Sequence, residues 1–179
     1  MSIGFIKTPL EIMELLLYIL ARTDGGVTMA QLTDLALCDQ GVDYFQFVDA
    51  LSKLEERGHV QTGGDGLIAI TPKGRSSGKV TEEELPYSVR VRCDKNVAEL
   101  NKQLQRARQV RSQVLERPDG SGFTARMILD DEGGNVMTLE MLAPDRAQAE
   151  LLCQRFQDQP ERIYNQILSQ LLEEKGARS

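Results

Sequence analysis

The side chains in this chain that can do chemistry are few and scattered. There is one histidine, His59, and there are three cysteines, Cys38, Cys93 and Cys153, with no pair at CxxC spacing. A zinc site or a disulfide framework needs more ligands at closer spacing than this. Reduced thiols serving as small core residues are therefore expected. Gly63-Gly64-Asp65-Gly66 lacks the trailing Lys and Ser or Thr of a phosphate loop and reads as a hairpin turn. Asp130 and Asp131 adjoin in a turn-forming stretch with no base or metal partner nearby in sequence, and a solvated turn is the reading there. With no nucleophile, base or metal set, an enzyme is not expected, and no cofactor or metal is implied. What remains is recognition chemistry: amide, ammonium and guanidinium groups carried on helices.

The charge balance limits what such groups can recognise. The 179 residues carry 21 basic and 27 acidic side chains, a net charge of -6, with 41% hydrophobic residues. That composition supports a folded chain with a core and excludes global disorder. The acidic pI of about 4.9 argues against a nucleic-acid partner, because phosphate neutralisation needs clustered Lys and Arg. The one basic stretch, Pro86 to Arg117, holds eight cations, among them Arg90, Arg92, Arg106 and Arg111, against Asp94, Glu99 and Glu116. It can flank a nucleic-acid reader or simply pair with acidic groups elsewhere. The longest apolar run, Leu15 to Ala21, falls well short of the roughly 20 residues of a membrane span, and the N-terminus does not read as a leader. A cytoplasmic protein is expected.

The elements that must position these groups begin at Thr8-Pro9-Leu10-Glu11, whose spacing predicts a capping box with Pro at the first helical position. A helix follows from Pro9 to about Arg22, apolar around most of its circumference and so either central or shared with a partner. Asp24-Gly25-Gly26 stops it, and Thr28 with Gln31 starts a second helix through about Cys38. Asp43 with Gln46 opens a third, Tyr44 to Arg57, with an expected core stripe of Phe47, Val48, Leu51 and Leu54. Gly58 ends it. His59 to Thr62 and Leu67 to Ile70 then read as two strands of a hairpin.

Thr71-Pro72-Lys73-Gly74 follows, and the Ser- and Gly-rich residues Arg75 to Thr81 read as the end of this unit. Two domains are expected, 1–80 and 81–179. The second should start with a linking helix over Pro86 to Leu104, passing to a strand near Gln105 to Val110. Phe123, Ala125, Met127 and Leu129 alternate onto one strand face, and Met137, Leu139 and Met141 onto one face of the next. Pro144-Asp145 and Pro160 start two final helices. The fold class is α+β.

Three helices and a two-stranded hairpin resemble the winged variant of the helix-turn-helix. Leu51-Ser52-Lys53-Leu54-Glu55-Glu56-Arg57-Gly58-His59-Val60 looks like the end of its recognition helix and the entry to its wing, and Ile68-Ala69-Ile70-Thr71-Pro72-Lys73-Gly74 looks like the return strand and the Thr-x-x-Gly helix start that follow the wing in PadR-like and MarR-like bacterial regulators. Over its full length the chain is similar to an uncharacterised bacterial family, a domain of unknown function. Thr8 to Ile12, Gln31 to Asp34, Tyr44 to Gln46, Leu51 to Leu54, Leu85-Pro86 and Ser88 to Arg90 carry this likeness.

The resemblance implies a transcriptional regulator that reads double-stranded DNA, with a C-terminal part for dimerisation or effector sensing. The docking it implies sends Asp43, Tyr44, Gln46, Asp49, Ala50 and Lys53 toward base edges, with Arg90 and Arg92 as flanking phosphate contacts. Gln46 suits adenine, and Lys53 suits guanine or phosphate. Across the third helix and hairpin, Asp43, Asp49, Glu55, Glu56 and Asp65 outnumber Lys53, Arg57, Lys73 and Arg75, a weak balance for a DNA reader. The alternative is the same unit used as a protein-interaction module. A homodimer is expected, joined through the first helix or through the last one, which carries Ile163, Tyr164, Ile167, Leu168, Leu171 and Leu172.

Overall fold

A reciprocal cap fixes the start of the fold. In a computed structural model describing residues 5–172, Thr8 Oγ1 accepts from the Glu11 amide at 3.2 Å, and the Glu11 carboxylate accepts from the Thr8 amide at 2.8 Å. Helix α1 (Pro9–Arg22) then runs through the centre of the first unit. The six consecutive residues Leu15, Leu16, Leu17, Tyr18, Ile19 and Leu20 are all buried, which takes the enclosure around the whole circumference. The all-round apolar sequence thus means an enclosed helix, as its composition requires.

Around α1 pack α2 (Met29–Ala36), α3 (Tyr44–Glu56), the antiparallel strands β1 (Val60–Thr62) and β2 (Ile68–Ile70), and α4 (Pro72–Thr81). Thr28 and Gln31 form the predicted capping box of α2. Val27, between α1 and α2, exchanges two backbone hydrogen bonds with Ile68 at 2.9 and 2.8 Å. The hairpin is thereby tied to the α1–α2 connection as well as to α3. A short 3₁₀ turn (Glu82–Glu84) leads to α5 (Tyr87–Gln109).

Three expectations need correction. Residues Arg75 to Thr81 are helical, not a terminating loop. Pro72 sits in the first turn of α4 and Thr71 caps it, while Gly74 and Gly78 are buried because they let the helix approach its neighbours closely. The first compact unit extends to Leu104 instead of ending near residue 80. The reason is the face of α5 made by Val89, Cys93, Val97 and Leu100, which is buried in the same core as α1. On α3 the buried stripe is Phe47, Ala50, Leu51 and Leu54, so Ala50 faces inward and Val48 is exposed.

The second unit, from Gln105, has its own core. Strands β3 (Val110–Glu116), β4 (Phe123–Asp131) and β5 (Gly134–Ala143) form an antiparallel sheet in sequence order. Met127 faces Leu139 and Ala125 faces Met141, so the alternating residues share one face. Helix α6 (Arg146–Asp158) covers that face with Ala149, Cys153 and Phe156, and α7 (Pro160–Leu172) packs on α6. Among the described residues no helix is long and apolar enough to cross a membrane.

Candidate nucleic-acid interface

The outer face of α3 carries most of the residues singled out for recognition. Asp43 is its N-cap, with Oδ1 accepting from the amides of Phe45 at 2.8 Å and Gln46 at 3.1 Å. The positive end of the helix is therefore already neutralised by a carboxylate of the chain itself. Tyr44 and Gln46 are exposed as expected. Lys53 lies one turn beyond Asp49 and pairs with it at 2.6 Å, so its charge is partly compensated.

Sequence reasoning missed the most prominent feature of this face. Phe45 is 83% exposed, and Tyr44 meets it edge-on with ring centroids 6.0 Å apart; exposed Val48 lies on the following turn. The available signal is position 45, which helical spacing sets well off the Phe47–Leu51–Leu54 stripe; Val48, three residues before Leu51, falls at the stripe's margin, and spacing alone does not reveal its exposure.

Basic groups gather at the other end of α3, where the hairpin begins. Lys73 Nζ donates to the carbonyl of Arg57 at 2.5 Å, and Thr71 Oγ1 donates to the carbonyls of Gly58 and His59 at 2.8 and 3.1 Å. Burial and the nearby charges of Lys73 and Arg57 hold the His59 pKa below its ordinary 6.5. His59 Nδ1 is buried with no hydrogen-bond partner. In the hairpin turn Gly66 adopts φ +76°, and Asp65 accepts from the Leu67 amide at 3.0 Å. The turn itself is acidic.

The titration of His59 has a directional consequence. Its folded pKa lies below the unfolded one, so in acid the unfolded chain binds a proton that the folded chain resists. Stability from this group is complete above about pH 6.5 and falls as the pH drops through that value. Urea midpoints at about pH 7.5 and about pH 5.5 should decrease in the wild type and decrease less in His59→Gln. Equal decreases in both proteins would contradict this assignment.

Two arginines expected beside the interface have other surroundings. Arg92 donates to the Cys38 carbonyl at 2.7 Å and lies 3.8 Å from Asp39, itself 1% exposed, so it braces the turn between α2 and α3. Asp39 also accepts from the amides of Ile6 at 3.3 Å and Gly41 at 2.9 Å. Asp39→Asn keeps those acceptors and loses the ion pair; the expected cost is about 1 kcal/mol in urea unfolding. Arg90 lies 6.0 Å over the ring of Tyr87, and its Nε is buried with no hydrogen-bond partner. Elsewhere in the basic stretch Arg106 pairs with Glu161, Arg111 with Asp130 and Lys102 with Glu99. Much of its positive charge is compensated within the fold.

The described residues contain no group of carboxylate, thiol and imidazole ligands placed to hold a metal. A family model described as a domain of unknown function, DUF4364, matches residues 14–171. No curated protein and no solved structure matches the chain.

Proposed function

The chain belongs to the DUF4364 family of domains of unknown function, and from that premise we propose that it is a winged-helix protein that binds double-stranded DNA as a transcriptional regulator. The observation that carries the reading is the layout of the first unit. Its hairpin follows α3 directly and is stitched to Val27 between α1 and α2, while α3 turns one face to the core and leaves Tyr44, Phe45 and Gln46 outside. In this reading those three side chains meet base edges, the aromatic ones against thymine methyl groups and Gln46 against adenine. Arg57 and Lys73 serve as phosphate contacts at the wing base. Arg92 drops out of the interface because it braces the α2–α3 turn.

The second unit serves as the pairing module in this proposal. Leu171 and Leu172 at the end of α7 are 76% and 74% exposed, and a second copy would cover them. Two readers on one dimer raise affinity by effective concentration, which suits a recognition face with few cations.

Fluorescence anisotropy with duplexes from the upstream region of the protein's own gene and with random duplexes, each at two salt concentrations, tests the reading. Preference for the upstream sequence is expected, and Lys73→Ala should lower the slope of log affinity against log salt by about 1. Absence of binding even at low salt would sink the proposal. The exposed Tyr44, Phe45 and Val48, set among Asp43, Asp49 and Glu56, favour a second reading in that event. The same face would then hold an apolar surface of a protein partner.

A further inference from the structure

Cys38 and Cys93 are separated by 55 positions in sequence, yet their sulfurs lie 3.6 Å apart. Cys38 sits just after α2, in the turn leading to α3, and is half-buried; Cys93 lies on the inner face of α5 and is fully buried. Both thiols are free. The geometry points to this pair as a dithiol that a hydroperoxide converts into an intramolecular disulfide, bolting the α2–α3 turn to α5. The inference stands apart from DNA binding, because it concerns thiol chemistry within the first unit alone.

The two sulfurs are placed for different roles. Cys38 is the one with access to solvent, so it meets the oxidant first. The contact with the Cys93 thiol and the Arg92 guanidinium favour its thiolate, whereas the facing Cys38 sulfur and burial hold the Cys93 thiol in its protonated form until it attacks. Cys38 thiolate attacks one peroxide oxygen; an S–O bond forms, the O–O bond breaks, and the departing alkoxide takes up a proton. The Cys93 sulfur then attacks the Cys38 sulfur. The S–S bond forms, the S–O bond breaks, and the hydroxide leaves as water with the Cys93 proton. Two thiols and one hydroperoxide become one disulfide, one alcohol and one water. The sulfurs need to close by roughly 1.5 Å to reach bonding distance, within the range of a side-chain rotation and a small backbone shift.

The test uses the full chain treated with hydrogen peroxide in its native state, then unfolded and alkylated. Of its three thiols, one should remain reactive, at Cys153. The intact mass should fall by about 2 Da before alkylation. Proteolysis should yield one cross-linked peptide joining Cys38 to Cys93, lost again on dithiothreitol treatment. In Cys93→Ser the oxidation should stop at Cys38 as a sulfenic acid that dimedone traps. Should that variant fail to fold, the wild-type peptide map still decides. Three alkylatable thiols after peroxide, a bond to Cys153, or a bond between two chains would each overturn the proposal.

Discussion

Gly74→Ala is expected to destabilise the first unit by roughly 2–3 kcal/mol, read as a lower urea midpoint at unchanged slope. The sign is the informative part. In a helix interior, alanine is ordinarily better than glycine by up to about 1 kcal/mol. Gly74 lies in α4, and a β-carbon there would stand 2.1 Å from the carbonyl oxygen of His59 and 2.8 Å from Ile70 Cγ1. The first of these is a backbone atom at the entry to the hairpin, held by the Thr71 amide at 3.0 Å and by the Thr71 hydroxyl at 3.1 Å. It cannot move without breaking the hairpin's junction with α4. Gly78 is the contrast: its β-carbon would meet Leu17 Cβ at 3.3 Å, a contact that a shift of a few tenths of an ångström relieves. Gly78→Ala should therefore cost much less. A stability gain in Gly74→Ala would mean that α4 does not pack on the hairpin as described.

The same glycines explain why the body of α4, beyond its start at Thr71 to Gly74, is illegible in the sequence. Arg75-Ser76-Ser77-Gly78 has low helix propensity and reads locally as a break. The helix is supported by contacts that a local reading cannot see: Arg75 reaches the Ala21 carbonyl at 3.0 Å, and Gly74 and Gly78 bring the backbone against its neighbours. By contrast, the starts of α1, α2, α3 and α6 were legible because a cap is a local device. Thr8, Thr28, Asp43 and Asp145 each bond an amide within three residues. The alternation in β4 was legible for the same reason, since a period of two needs no partner to be recognised.

The candidate site divides along the same line. Tyr44 and Gln46 are exposed on α3 and Lys53 is partly so, whereas Ala50, assigned to the same outer face by the same helical spacing, is buried, because which flank of the stripe meets the core depends on the packing partners. Arg92 could not be placed from sequence: its guanidinium meets a carbonyl and a buried carboxylate at Cys38 and Asp39, more than fifty residues away. The approach of Cys38 to Cys93 is a tertiary fact of the same kind. A cation counted as part of a basic stretch is evidence for phosphate binding only once its nearest carboxylates are known. In this chain many of them are close at hand.

Phe45 and Phe47, two residues apart on α3, give the sharpest separation of fold from function. Phe47 is fully buried and packs within the core around α1, with its ring centroid 6.2 Å from that of Tyr44. Phe47→Ala removes that ring from a site enclosed on all sides, and a loss of about 3–5 kcal/mol is expected. A loss that large approaches the whole stability of a small domain, so partial unfolding at room temperature is the expected appearance in circular dichroism. Phe45 is 83% exposed, and its truncation leaves no cavity. Phe45→Ala should change the urea midpoint by less than about 0.5 kcal/mol in equivalent free energy. If α3 reads DNA, the same change should weaken binding to the preferred duplex roughly tenfold or more, and weaken binding to random duplex much less, because a ring against a thymine methyl discriminates sequence whereas a phosphate contact does not. Equal weakening on both duplexes would make Phe45 a general contact. A stable Phe45→Ala protein with unchanged affinity for both would remove α3 from the interface, because no other side chain on that helix offers the approaching surface as much apolar area.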